Sequence, residues 1–412
     1  MKYFLKIFLI TIVFLDLNEA RANTLFDSLN SAYFNNLKLN AERASARASK
    51  EEKNESISEF LPSITVSGYV SEQRNTGDTV SNFKPSEQSL EVEQKIFQGF
   101  SGVSNFRKQN LGQNLAKFKL KKIEQETLLE ATKVHTELLL NKEKVNINLI
   151  NIDLLERQVE TDINRLEKGE ISLTDLSQSE SSLAGARAQL IAAQNDLVTS
   201  KTNFKKVIGK KPTENIKKIN EINLNLPENL ADAYRISTLE NPDLQIALME
   251  FNKAKSDVVI AASEFSPSAT LSYKISEQED LSATVKDRTQ QTVTATATWP
   301  LFAGGSNLFS LRSAQELKNQ KQLLYEDSQK EVETNVANAW SSYQSSKSVL
   351  ESIGSQVKAA EIANEGITLE YESGNSRTTL EVIQSRTILL NSRINFAGAE
   401  RDFFISQFNL LS

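Results

Sequence analysis

A chain of 412 residues, 39% hydrophobic and 24% charged, can bury a sizeable core and is long enough for at least two structural units. With no cysteine and a single histidine, His135, it excludes disulfide frameworks, cysteine zinc sites, thiol nucleophiles, an acylated N-terminal cysteine and any site of two imidazoles. A formal net charge of −6 argues against a nucleic-acid surface, which needs a basic patch, and only 14 glycines and 7 prolines favour long uninterrupted elements.

Residues 1–22 read as a secretory signal. Lys2 and Lys6 precede an apolar run over 7–15, and Ala20-Arg21-Ala22 supplies a small-residue cleavage site before Asn23. Removing this segment takes away +3 and −2 and leaves a formal charge of −7. The apolar run is shorter than a spanning helix needs, and no other segment has the length for one. The mature chain is thus expected to be periplasmic, secreted, or inserted in an outer membrane by strands.

Residues 25–58 are rich in Ala, Glu, Lys and Arg and predict a helix, ended by Pro62. Ile64, Val66 and Val70 then alternate with Thr65, Ser67, Tyr69 and Ser71, the period of a strand. A polar loop over 75–85 contains Gly77-Asp78. Leu90, Val92 and Ile96 next alternate with Ser89, Glu91, Glu93 and Lys95. Residues 107–166 contain no proline, and Ala131, Leu138, Val145, Ile152, Val159 and Leu166 recur every seven residues, the spacing of a left-handed coiled coil. Such a helix is about 90 Å long. Gly169 ends it, and 173–207 predicts a return helix.

The chain then repeats itself. Residues 59–73, EFLPSITVSGYVSEQ, match 264–278, EFSPSATLSYKISEQ, at nine of fifteen positions and an offset of 205. At that offset Phe97 meets Phe302, Gly99 meets Gly304, Arg107 meets Arg312, and Gly169 meets Gly374. One residue further, Gln178-Ser179 meets Gln384-Ser385. Residues 23–208 therefore form a first repeat, 209–228 with Pro212 and Pro227 a linker, and 229–412 a second repeat. In the second repeat Ala269, Leu271, Tyr273 and Ile275 alternate with polar residues, as do Val293, Ala295, Ala297 and Trp299. Val336, Tyr343, Leu350 and Val357 continue the heptad, and 379–411 forms the return helix. The fold class is mainly α with β: long coiled-coil helical hairpins plus four amphipathic strands. Each alternating segment is about ten residues, the reach of a tilted membrane strand, but four strands cannot close a barrel alone.

Several short motifs resemble those of the TolC-type outer-membrane efflux family, and the resemblance spans the mature chain. They are Asn241-Pro242-x-Leu244, the strand-to-helix run Pro300-Leu301-Phe302-Ala303-Gly304-Gly305, and the turn Tyr371-Glu372-Ser373-Gly374 followed by Arg377-Thr378-Thr379-Leu380-Glu381-Val382. RLEKGEISLTDL over 165–176 is the matching turn of the first repeat. The chain departs from the pattern at Asn35-Asn36, which lacks the proline, at Phe100, where the second repeat has Gly305, and at the turn tips, where polar residues precede glycine.

The resemblance implies a homotrimer in the outer membrane with a large periplasmic part. Three sets of four strands would make a shared twelve-stranded β-barrel, and the helices an α-barrel tunnel. It implies no enzyme activity and no cofactor, but a passive exit duct for small molecules or polypeptides. Its partners would be outer-membrane lipid, a periplasmic adaptor, and an inner-membrane RND or ABC transporter, in efflux or type I secretion. It also implies a periplasmic gate of Thr174 and Asp175 facing Tyr371 and Arg377, since one guanidinium can donate to a carboxylate and a hydroxyl together. Glu381 and Gln384 would face the narrowest lumen as a selectivity ring. The tips Lys168, Gly169, Glu170, Ser373, Gly374 and Asn375 would meet the adaptor. A soluble periplasmic coiled-coil adaptor is the competing architecture, but it leaves the strands and the duplication unexplained. A secreted carboxylate hydrolase is a third reading, with no metal or paired-carboxylate spacing behind it. No nucleic acid is expected among the partners.

Overall fold

The computed structural model describes residues 24–75, 81–213, 216–217, 224–282, 285–373 and 377–412. The expected signal segment, the Gly77-Asp78 turn, and Gly374 and Asn375 lie outside them.

Helix α1, Leu25–Asn35, begins at a reciprocal cap in which Thr24 and Asp27 satisfy each other's backbone N–H groups. The single helix expected over 25–58 is broken. Asn36 adopts an extended conformation (φ −68°, ψ 123°), and α2, Leu37–Glu55, starts anew. The Asn36 side chain then accepts from Leu39 N and donates to Val207 O, so its polar groups are satisfied at the break. A 3₁₀ turn, Ser56–Phe60, leads into β1, Ser63–Val70. Within the expected polar loop, two short strands, β2 (Gln73–Asn75) and β3 (Ser81–Phe83), pair with each other. Strand β4, Ser86–Gln98, precedes α3, Ser101–Glu167, and α4, Leu173–Ile208. The second repeat follows as α5 (Leu230–Glu240), α6 (Pro242–Ser263), β5 (Ser268–Ser282), β6 (Val285–Thr298), α7 (Ser306–Glu372) and α8 (Thr379–Leu411).

The Asn-Pro-x-Leu motif has a local explanation. Asn241 caps α6 by accepting from Asp243 N at 2.9 Å and Leu244 N at 3.3 Å. Pro242 takes the first helical position, where its missing N–H costs nothing, and Leu244 is buried.

Two compact units cut across the two repeats. One holds the chain up to Asn40 with Ile123–Arg235 and Thr334–Ser412; the other holds Ala41–Lys122 and Ile236–Glu333. The first unit is helical and has a buried cluster of Ala32, Ala131, Val134, Leu138, Phe204, Ile208 and Ile216. Here Gly209 closes α4 with φ 79°, and a Cβ on it would lie 2.9 Å from the Asn35 Cβ.

The second unit carries an antiparallel sheet in the order β1-β4-β5-β6. Its register aligns the apolar positions. Ile64 faces Val92 and Val66 faces Leu90; Leu90 and Val92 face Ile275 and Tyr273; Leu271, Tyr273 and Ala269 face Ala295, Val293 and Ala297. Thr, Ser, Glu and Lys occupy the other face, where Lys274 pairs with Glu87 at 2.8 Å. Ile96 does not continue the alternation as expected. The register passes from Lys95↔Thr270 to Phe97↔Ala269, so Ile96 is the extra residue of a bulge and Phe97 carries on the apolar face. Nothing among the described residues covers that face: Val66 is 78% and Val293 70% exposed. In the helical part of this unit, α6 is tied to α3 by Lys108–Asp257 and Lys122–Asp243, and to α7 by Lys321–Glu250. No helix among the described residues is long and apolar enough to cross a membrane.

Candidate functional site: the ends of the helical hairpins

The first hairpin turns through glycine in the left-handed region. Gly169 has φ 73°, its N–H donates to Leu166 O, and Glu170 N donates to Arg165 O, closing α3 as a Schellman turn. Ser172 then caps α4. Its hydroxyl accepts from Asp175 N, and the Asp175 carboxylate accepts from Ser172 N at 2.9 Å and Ser172 Oγ at 2.7 Å. The Ser172 hydroxyl, then its N–H, hold the Asp175 carboxyl below the usual carboxylate range.

The second hairpin builds the same device at the equivalent positions. Thr378 caps α8, and Glu381 accepts from Thr378 N at 2.8 Å and Thr378 Oγ1 at 3.1 Å. Here a guanidinium is added. Arg377 Nη1 donates to Glu381 at 3.0 Å and Nε to Glu370 at 2.6 Å. The Thr378 N–H and then Arg377 lower the Glu381 carboxyl, and Glu370 followed by Glu381 raises Arg377.

Between the hairpins lies a buried cluster. Asp162 of α3 is fully enclosed and accepts from Tyr371 Oη of α7 at 2.7 Å, Ser179 Oγ of α4 at 2.5 Å and Gln158 Nε2 at 2.9 Å. Tyr371 Oη also lies 3.0 Å from Thr379 Oγ1 of α8, and the Arg165 guanidinium sits 4.3 Å over the Tyr371 ring. The carboxylate thus gathers groups of α3, α4 and α7, and Tyr371 extends the network to α8. Burial is the largest influence raising the Tyr371 hydroxyl. Arg386, whose Nη1 donates to Leu154 O, is pushed down by its own burial while Glu372 and Asp162 oppose the shift.

Paired strands with one uncovered apolar face, together with long capped hairpins of duplicated design, are features that a duct through an outer membrane requires. The outer membrane efflux protein family model matches residues 28–210 and 234–412. The chain belongs to the outer membrane efflux protein family. Its place is the outer membrane, with a large periplasmic part, and its work is conduction rather than catalysis; the soluble-adaptor architecture is set aside. Outer membrane efflux protein BepC of Brucella suis biovar 1 is 25% identical over 95% of this chain and 85% of its own. The CmeC outer membrane channel of Campylobacter jejuni superposes with a TM-score of 0.85 at 14% identity, over 94% of this chain and 84% of that one. The open-state MtrE outer membrane channel of Neisseria gonorrhoeae gives 0.79 at 14% identity, over 94% and 87%.

In this efflux-family chain, the described residues singled out by sequence fall at the hairpin ends, but their contacts are not the expected gate pairs. Tyr371 uses its hydroxyl on Asp162 and Thr379, Asp175 binds Ser172, and Arg377 binds Glu370 and Glu381. None of the hydrogen bonds among described residues joins Thr174 or Asp175 to Tyr371 or Arg377. Lys168, Thr174, Ser373 and Gln384 are exposed, and Glu170 pairs with Arg165 at 3.2 Å. Glu381 and Gln384 border a shallow cavity of about 170 Å³ with Ala360, Ala363, Ile367, Ser385 and Ile388. Sequence reasoning missed Asp162, Gln158 and Ser179. One signal was available: Asp162 lies seven residues beyond Leu155 on a buried helix line, and its counterpart in the second repeat is Ile367.

Proposed function

We propose that three copies of this chain form the exit duct of a tripartite assembly, receiving cargo from a periplasmic adaptor and an inner-membrane RND or ABC transporter. The uncovered apolar face of the sheet carries the reading. Four strands expose about half their side chains to a solvent that cannot be water, and the outer edges, β1 and β6, leave backbone groups that must be paired. A closed barrel of three sheets satisfies both needs at once, with lipid against the apolar face and the lumen against the Thr, Ser, Glu and Lys face. Cross-linking of outer-membrane extracts should give a three-chain species, and planar bilayers should show conducting channels. A detergent-free soluble monomer would sink the reading.

In this duct Thr174, Asp175, Tyr371 and Arg377 form the periplasmic gate, with Tyr371 working through Asp162 inside its own subunit and Arg377 reaching toward a neighbour. Lys168, Gly169, Glu170, Ser373, Gly374 and Asn375 offer the tips to the adaptor, and Glu381 with Gln384 faces the constricted lumen. The Arg377 links are exposed, each worth about 1 kcal/mol or less when solvated, which suits release by a partner with a modest preference for the open form. Arg377→Ser combined with Tyr371→Phe should raise the conductance of the isolated channel while it remains trimeric.

A further inference from the structure

We propose that Arg377 sets the ion selectivity of the periplasmic mouth by masking two carboxylates of its own subunit, Glu370 and Glu381. The inference rests on the exit-duct reading and deepens it.

The geometry is that of one cation shared between two anions. Glu370 belongs to the last turn of α7, Glu381 to the first turn of α8, and Arg377 stands in the connection between them. Its Nε lies 2.6 Å from Glu370 Oε2 and its Nη1 3.0 Å from Glu381 Oε1. Two negative charges and one positive leave this triad with a single net negative charge in each subunit. A guanidinium suits this bridge because its donors diverge in a rigid plane, whereas an ammonium is a single point of charge.

Glu381 is not held by Arg377 alone. Its Oε2 accepts from the Thr378 N–H and hydroxyl, so its carboxylate keeps its position if the arginine leaves. The bridge is also inexpensive to break. Arg377, Glu370 and Glu381 have side chains 40%, 49% and 38% exposed, where water screens the attraction. Any group that draws Arg377 away therefore uncovers two carboxylates per subunit, one of them held in place by Thr378, with little opposing force. Asp175, the gate partner of the previous reading, is such a group. Glu370 and Glu381 compete with it for one guanidinium, so the position of the gate and the charge of the mouth are linked. A ring of uncovered carboxylates in a narrow passage raises the local cation concentration and repels anions.

The test is the reversal potential of purified channels in planar bilayers across a KCl gradient at low ionic strength, where the Debye length is long. Reversal potential reports the cation-to-anion preference rather than the size of the current. Arg377→Gln should raise the cation-to-anion permeability ratio ~2-fold or more. Arg377→Lys should stay nearer the parent, and adding Glu370→Gln and Glu381→Gln to Arg377→Gln should abolish the gain. If Arg377→Gln leaves the ratio unchanged in a conducting channel, or the gain survives loss of both carboxylates, the masking role is wrong and the duct stands. If the parent forms no channel, the exit-duct reading itself fails.

Discussion

His135 is enclosed in the helical core, tilted against Phe204, with its Nδ1 2.8 Å from Ser28 Oγ. The Ser28 hydroxyl donates to Thr24 O, which leaves its oxygen to accept and assigns the ring proton to Nδ1. Nε2 then carries a buried lone pair without a hydrogen-bond partner. Protonating it would bury an imidazolium, and burial lowers its pKa from 6.5 to about 4. The folded state therefore binds this proton less readily than the unfolded one. The stabilisation is fully present above pH 6.5 and is lost as pH falls toward 4, a loss of about 3 kcal/mol. Thermal melts between those limits should show it, and His135→Leu should flatten that part of the profile. At the hairpin ends, Tyr371→Phe removes one of three donors to a buried carboxylate. A cost of about 1–3 kcal/mol in denaturant unfolding is expected, and an unchanged midpoint would mean that Asp162 finds another donor.

Among the elements, the strand-to-helix bends show how similar repeats acquire different tolerances. Gly99 and Phe100 have φ 59° and 70°, and their counterparts Gly304 and Gly305 have 62° and 88°. Both bends need the left-handed region, and the first accepts a phenylalanine there whose ring meets Phe97 edge-on at 5.7 Å. A Cβ on Gly99 would lie 2.5 Å from Ser266 Cβ and 2.8 Å from Ser263 O, while one on Gly304 would meet open space. Gly304→Ala should cost only the backbone strain, about 1–2 kcal/mol. Gly99→Ala should cost distinctly more and lower the yield of assembled protein; equal effects of the two would contradict the packing. The long helix α3 teaches a related point. The heptad line through Ala131 and Leu138 is buried, but from Val145 onward it is only half-buried. The line three residues later, Val134, Asn141, Asn148, Leu155 and Asp162, is enclosed throughout. The two lines are the paired seam positions of one coiled coil. The second was hidden from a hydrophobicity reading because three of its five residues are polar.

For the whole molecule, the decisive property is the alignment of apolar residues across four strands contributed by both repeats. Val293 and Thr292 are neighbours on β6, yet the pleat sends them to opposite faces. Val293→Lys should oppose membrane assembly by up to about 2–4 kcal/mol, whereas Thr292→Lys on the polar face should be tolerated. Refolding into lipid vesicles, read by the shift in electrophoretic mobility of unboiled samples, distinguishes the two. Comparable assembly of both variants would mean the apolar face does not meet lipid.

The duplication, the strand periods, the helix lengths and the turns were legible because they are local or periodic: alternation of two, recurrence of seven, glycine at a turn, a hydroxyl or amide at a cap. The efflux family was read instead from the resemblance of short motifs, such as Asn241-Pro242-x-Leu244 and the run 300–305, to those of that family. The break at Asn36, the bulge at Ile96 and the division into units that cut across the repeats were not legible, since each depends on what a distant segment packs against. The same holds for Asp162. Nothing near a lone aspartate in a helix announces that Tyr371, 209 residues away, will hydrogen-bond to it. The partners of Arg377 belong to the same class: Glu370, Glu372 and Glu381 all lie close to it in sequence, and only geometry selects Glu370 and Glu381 among acceptors of equal charge. Periodicity determines elements because it is a property of the chain alone; partner choice belongs to tertiary structure because it compares distances that the chain does not encode locally.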